Sequence, residues 1–588
     1  MKQQERGDFS LDQRLVPLSL LGVVIGAVSA FVALILLDLI RFFTNLFFFG
    51  TFSVADRPPS DNHLGLWVIA VPVVGSLIIG LMARYGSEKI RGHGIPEALE
   101  AILFGRSRME PKVAVLKPLS SAISIGSGGP FGAEGPIIMT GGAFGSLLAQ
   151  MFHLTSAERK TLLVAGAAAG MSAVFGTPIA AALLAVELLL FELKPRSMVP
   201  VALASITAAG IRPLLLGAGP LFPIDTHSSG GLVILAIAAL VGIAAGAFST
   251  FVSSSLYRLE DQFAKLPIHW MWWPALGGLV VGVGGYFKPR VLGVGYDVIA
   301  DLLHGQIPTA SVVGLVSVKA LVWVFALASG TSGGVLAPLL IMGAGLGTLE
   351  GAVLPVGSIP LWSVVSMSAV LGGMMRSPFT ACLFALELTH DVSTLPALLA
   401  AAITAHAFTV IFMKRSILTE KVARRGFDLF REYSVDPLER LRVEECMTRD
   451  VVAIPVGLDT QAASERYFGA RSRPRGYPVV DGQGRLVRML TASDLLAVDE
   501  GATTLLSDLP NQSPVVAYPK ESCRLIAERM AVHGIGRLPV VLRDDPTKII
   551  GIITRSDLLK ARLNHVHEET QRERYFLAGK DAAQRRSA

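Results

Sequence analysis

Up to about residue 426 the chain alternates long uncharged runs with short polar breaks. The runs cover residues 15–37, 64–83, 161–186, 266–287, 321–349, 352–375 and 392–413. Each is at least as long as the roughly 20 apolar residues a helix needs to cross a bilayer. Between Arg212 and Arg258 only Asp225 carries a formal charge. Glycine and proline interrupt several runs, so the pattern predicts more than seven helices, ten or more in all, some short or tilted. Beyond residue 426 charges become frequent, no run is long enough to span, and short β-branched stretches alternate with helical ones. A polytopic α-helical membrane domain followed by a soluble α/β region is expected.

Composition agrees: of 588 residues, 52% are hydrophobic and 17% charged, with a mean hydropathy of +0.55. The leader MKQQERGDFSLDQR is polar, so no cleaved signal peptide is expected. A net charge of +6 raises the question of nucleic acid, but the basic residues do not gather into a patch interleaved with aromatics, so no nucleic-acid partner is expected. The basic cluster at 413–426 places the soluble region in the cytoplasm by the positive-inside rule. HWMWWP at 269–274 reads as an aromatic belt at a membrane interface. Cys382, Cys446 and Cys523 lie far apart without metal-ligand spacing, and are read as reduced and structural.

Both regions repeat internally. In the soluble part, residues 475–496 are echoed by 536–559: a strand ending in PVV, a turn, a second strand, then Thr-x-x-Asp opening a helix. Residues 443–455 and 505–519 also correspond. This tail resembles a tandem pair of CBS domains, which implies a β-α-β-β-α module and a cleft for ATP, ADP or AMP. The resemblance places Asp494 and Asp557 at a ribose and Thr491 and Thr554 beside phosphates. The same four residues also make a capping box and nothing more, and the two readings stay open. Arg488 stands where the second copy has Gly551, so the site containing Asp557 is favoured.

In the membrane part, residues 170–190 resemble 372–391, with Pro178 and Pro378 each nine residues before Glu187 and Glu387. Ser-Gly-Gly turns lie upstream at 127–129 and 332–334. Matching interruptions in two halves point to a transport site between them. An anion entering a bilayer must replace its water shell, yet must also leave again. Helix N-termini suit this, offering about half a charge each and free amides without the grip of a fixed cation. GSGGP (126–130), GAEGP (132–136), GGVLAP (333–338) and GHGIP (92–96) each suit such a broken helix start.

These elements in this order, followed by a CBS pair, resemble the CLC family of chloride channels and proton/chloride antiporters. The resemblance implies inverted repeats, a homodimer in the cell membrane, chloride as the transported ligand and no required cofactor. It makes Glu134 the gate, whose ionised carboxylate occupies an anion site and whose protonated form swings away. A first-turn acid that merely complements a helix dipole is the alternative. Ala133, Gly135, Val335 and Leu336 become candidate backbone donors, with His93 and Gly94 beside the central anion and Lys117 near the pathway. Along the anion pathway three positions depart from the family pattern: His93 replaces a serine, Leu418 a pore tyrosine and Leu336 a phenylalanine. His93 either donates to the anion or bonds a nearby carbonyl. Leu188 stands where many antiporters carry a proton-accepting glutamate, so channel and antiporter both remain open. Glu187 and Glu387 read as structural acceptors.

The expected domains are a cytosolic segment 1–14, the transport domain 15–425, a linker 426–442, CBS copies at 443–500 and 501–563, and a polar tail 564–588. A CBS-regulated magnesium-type transporter is the competing class, but it calls for clustered carboxylates in the membrane. The membrane half has none, and neither a metal site nor a nucleophile-base constellation for an enzyme is apparent.

Overall fold

The computed structural model describes residues 14–226, 231–424, 438, 441–468, 476–496, 504–509 and 513–570. The expected linker falls largely outside these residues, as do nearly all of the first 14 and most of the tail. The chain divides into two units, one of Met1–Tyr433 with Arg572–Ala588 and the other of Ser434–Gln571.

The first unit is helical throughout. It contains α1 (Leu15–Thr44), α2 (Ala70–Tyr85), α3 (Ile95–Leu103), α4 (Pro111–Gly126), α5 (Glu134–Gln150), α6 (Ser156–Phe175), α7 (Pro178–Leu184) and α8 (Pro195–Leu215). After these come α9 (Leu232–Phe263), α10 (Trp273–Phe287), α11 (Tyr296–Leu303), α12 (Thr309–Ala328), α13 (Leu336–Val353), α14 (Ile359–Met375), α15 (Pro378–Thr389), α16 (Leu395–Phe412) and α17 (Ile417–Arg424). Among the described residues, seven helical stretches are long and apolar enough to cross a membrane. The others are short, and several expected runs are cut. Residues 321–349 break at the Ser-Gly-Thr-Ser-Gly-Gly turn between α12 and α13, and 161–186 break at Gly176 and Thr177, before Pro178 opens α7. Proline cannot donate to the preceding turn and glycine readily takes the left-handed conformation seen at Gly176 (φ +70°), so these helices end where such residues occur.

A large hydrophobic core runs through this unit, with a smaller cluster of Leu18, Ile25, Ala149, Leu154 and Leu162 beside it, and α5, α6, α13 and α14 are mostly buried. Their glycine and alanine content permits close approach: Gly141 of α5 and Gly166 of α6 lie backbone against backbone, as do Gly347 of α13 and the Trp362 carbonyl of α14. In the interfacial aromatic segment, the Arg91 guanidinium lies 4.3 Å over the Trp270 ring.

The second unit holds two small sheets. Strand β1 (Ile454–Pro455) runs parallel to β2 (Gly476–Val480), which pairs antiparallel with β3 (Leu486–Thr491); β4 (Arg537–Val541) pairs antiparallel with β5 (Ile549–Thr554). Ala517 bridges Val540 in parallel, as Ile454 does Val479, so the copies match. Their cores interleave. Val443 packs with Cys523, Ile526 and Leu538 of the second copy, while Leu506 joins Ile454, Tyr477 and Leu490 of the first. Cys446 and Cys523, distant in sequence, are thereby brought into the same hydrophobic core, and both are free thiols.

Candidate functional site

Three glycine turns meet inside the membrane unit. The Gly92 amide donates to the Thr331 carbonyl (3.1 Å), and the Gly333 amide donates back to Gly92 (3.4 Å). Gly132 and Gly334 exchange bonds of 3.2 and 2.9 Å. The starts of α3, α5 and α13 thus converge, their first-turn amides left without intrahelical partners. At the junction only glycine fits: Gly94 has φ +91° and abuts the Gly135 backbone, while Gly135 abuts the His93 carbonyl.

Glu134 opens α5 and is fully buried. Its Oε1 accepts hydrogen bonds from the Leu336 amide and, at 3.2 Å, from the Ala337 amide, the first two of α13. Among the described residues no basic side chain forms an ion pair with it, and Oε2, although buried, makes no hydrogen bond. One half therefore presents a carboxylate to the free N-terminus of a helix from the other half. Leu336 is brought to the carboxylate as a donor; Ala337, not singled out from the sequence, joins it. Ala133, Gly135 and Val335 are buried around the same junction.

Lys117 sits in α4, wholly buried. Its ammonium donates to the carbonyls of Ile90 (2.8 Å) and Gly92 (2.7 Å) and to the Ser332 hydroxyl (3.1 Å). All three protons are used, so this lysine pins the turns that build the site. Ser120 and Ser121 add contacts to Ser332 at 3.1 and 2.9 Å. Lys319 of α12 does the same work in the second half, donating to Val291 (2.9 Å) and Gly293 (3.2 Å). Sequence reasoning missed Lys319, although a lone lysine in the apolar run 310–328 was a visible signal.

Structural equivalence also moves one turn. Ser127 bonds the Ser124 carbonyl (3.1 Å) and Ser329 the Ala326 carbonyl (2.7 Å), each at the end of its helix and each followed by a positive-φ glycine. The counterpart of Ser127 is therefore Ser329, and the Ser-Gly-Gly likeness to 332–334 is a coincidence of composition. With that register Glu134 aligns with Leu336.

Glu387 takes the amides of Ile179 (2.9 Å) and Ala180 (2.8 Å) on its two oxygens. Glu187 Oε2 accepts from the Thr380 amide (2.9 Å) and hydroxyl (2.6 Å). Each half thus caps a helix start of the other, the structural role expected of both acids. Leu188 is fully buried.

His93 is 3% exposed. Leu418, fully buried on α17, belongs to an element tied to α3 by Lys421 and Glu97 at 2.6 Å; Glu97 also accepts from the Gly94 amide at 2.8 Å. In the second unit, Asp494 Oδ2 accepts from the Thr491 amide and hydroxyl (2.7 and 2.8 Å), and Asp557 Oδ2 from those of Thr554 (both 2.8 Å). The two are identical caps. Gly551 is pressed against Met447, whereas Arg488 fills its place in the first copy.

Comparison with known proteins gives the same outline. A family model described as voltage gated chloride channel matches residues 75–410, and the CBS domain model matches 443–501 and 506–564. A ClcB-like chloride channel protein of Ralstonia nicotianae is 30% identical over 376 residues, 62% of this chain and 87% of that one. An H(+)/Cl(-) exchange transporter ClcA of Salmonella paratyphi B is 26% identical over 411 residues, 66% of this chain and 85% of that one. The solved structure of a slow cyanobacterial Cl-/H+ antiporter shares the fold with a TM-score of 0.60 at 20% identity, covering 71% of this chain and 99% of that one. The chain belongs to the voltage-gated chloride channel family and carries a tandem CBS pair after its membrane unit.

Proposed function

We propose that this protein carries chloride across a cell membrane and that Glu134 is its gate. The observation that carries this reading is the seat of the Glu134 carboxylate on the Leu336 and Ala337 amides, with no basic side chain among the described residues to hold it. A carboxylate oxygen and a small anion are interchangeable ligands for two free amides. Protonation cancels the attraction, so acid vacates the seat and an anion takes it. Gly94, Ala133, Gly135, Val335 and His93 frame the seat, Leu418 stands as an apolar lining residue on the side of α3, and Lys117 sets the potential and holds the turns. A magnesium-type carrier is not favoured, because among the described residues no group of three metal-ligating side chains exists.

The test is chloride efflux from proteoliposomes at a series of external pH values. The parent is expected to accelerate as pH falls, and Glu134→Gln to run at a pH-independent rate. An acid response surviving in Glu134→Gln, or vesicles indifferent to halides, would overturn the reading. Chloride flow without a fixed proton count is favoured, since Leu188 offers no carboxyl and that of Glu187 is occupied by Thr380. A constant proton-to-chloride ratio in the same vesicles would contradict this.

The CBS pair faces the cytoplasm in this reading, and the protein works as a homodimer. Asp557 is the residue that would hold an adenosine nucleotide: its Oδ2 accepts from Thr554, and its second oxygen can accept from a ribose hydroxyl. Flux unaltered by saturating ATP would count against nucleotide control, and an ATP effect equally large in Asp557→Ala would count against Asp557 as the residue that mediates it. The transport domain is assigned to 15–425, with the CBS copies at 443–500 and 501–563.

A further inference from the structure

Two buried polar atoms near the gate have no hydrogen-bond partner: Glu134 Oε2 and the phenol oxygen of Tyr296. Tyr296 opens α11. Gly295, just before it, presses on the Ile341 side chain, and Ile341 lies little more than one turn along α13 from the Leu336 and Ala337 amides. The tyrosine therefore starts close to the group that holds the gate, within electrostatic range of Glu134. The ring cannot drift. It stands edge-on to Phe175, with centroids 6.1 Å apart at 78°, and beside Phe222 at 6.3 Å. The residue also lines a cavity of about 500 Å3, whose charged groups are Arg41, Asp56, Arg57, Arg212 and Asp297.

Orphaned buried polar atoms are uncommon in folded proteins, and a pair on two elements that both pack against α13 calls for an arrangement that satisfies both. We propose that Tyr296 is the second seat of the Glu134 carboxyl, receiving it when it leaves the α13 amides. This rests on the reading of Glu134 as a gate. Once protonated, the carboxyl no longer competes for the amides; its O–H donates to the phenol oxygen, or its carbonyl oxygen accepts the phenol proton. Either bond satisfies both orphans and leaves the amides free for an anion. Tyr296 is thus a positioning residue that acts through Glu134 by stabilising the released form.

The experiment measures chloride flux against external pH for the parent, Tyr296→Phe, Glu134→Ala and the double variant. Tyr296→Phe keeps the ring packing and removes only the hydroxyl. Loss of one hydrogen bond to the released carboxyl should make opening harder by about tenfold in proton concentration, so the midpoint of acid activation falls by about one pH unit. Maximal flux should stay within about twofold of the parent, and in the Glu134→Ala background Tyr296→Phe should change nothing at any pH. The ionisable groups around the cavity are common to all four proteins and cannot produce the difference. An unmoved midpoint overturns the proposal. So does an equal loss of flux with and without the glutamate, which would place Tyr296 on the ion path or in the packing. Acid activation persisting in Glu134→Ala is a different failure, one that removes the gate itself.

Discussion

The two halves of the membrane unit use the same frame and differ at its most sensitive point. Lys117 and Lys319 hold corresponding turns by their carbonyls, and α5 and α13 both start at the junction. Yet the first half places Glu134 where the second has Leu336. In the proposed reading, symmetric backbone makes the anion seat and one unmatched side chain controls it. The comparison teaches that scaffold and switch are separable: changes to the shared frame should cost stability, and changes at Glu134 should cost only regulation.

The largest effect is expected where the frame is unequal. Lys117→Met strands two carbonyls and disturbs the serine cluster on Ser332, whereas Lys319→Met strands two carbonyls alone. Buried acceptors left unpaired cost about 1–3 kcal/mol each, partly offset by no longer burying an ammonium. Thermal unfolding in detergent should show Lys117→Met as the more damaging, by about 1–2 kcal/mol. Equal melting temperatures would mean the Ser332 link carries nothing.

A smaller difference should separate the reciprocal caps. Glu387 uses both oxygens, so Glu387→Gln turns an NH2 group against a backbone N–H and should lose about 2 kcal/mol. Glu187 uses one oxygen for both bonds, so Glu187→Gln can keep them and should lose under about 1 kcal/mol. The same melting assay decides; a reversed order would show that charge at these helix starts outweighs bond geometry.

The smallest contrast lies in the CBS pair. Thr491→Val and Thr554→Val each remove a hydroxyl bonded only within its own cap, and each should cost about 1 kcal/mol in urea unfolding of this unit. A clear inequality would indicate that one copy's cap has work beyond closing its helix.

Much of this organisation was legible in the chain. Uncharged runs marked the membrane unit, and Pro136 and Pro338 marked the two helix starts that meet at Glu134. The break inside 321–349 was harder, because Gly330, Gly333 and Gly334 change neither hydropathy nor charge; only their conformational freedom ends the helix. Ala337 escaped notice because an amide donor has no side-chain signature. Lys319 was overlooked because its partners are carbonyls, which any residue supplies. The register of the halves was misplaced at 332–334 since Ser-Gly-Gly recurs by composition, whereas the bonded serines are Ser127 and Ser329. The closeness of Cys446 and Cys523 depends on the interleaving of the CBS copies, a long-range pairing that local pattern does not encode.

The exchange of caps between Glu187 and Glu387 has a consequence for how this molecule is made. Each half carries the finishing piece for its counterpart, so a fragment ending near residue 225 would hold a bare helix start at Pro178 and an acid at Glu187 with nothing to bind. Two such pieces supplied together could recombine, but one alone would be left incomplete in the lipid.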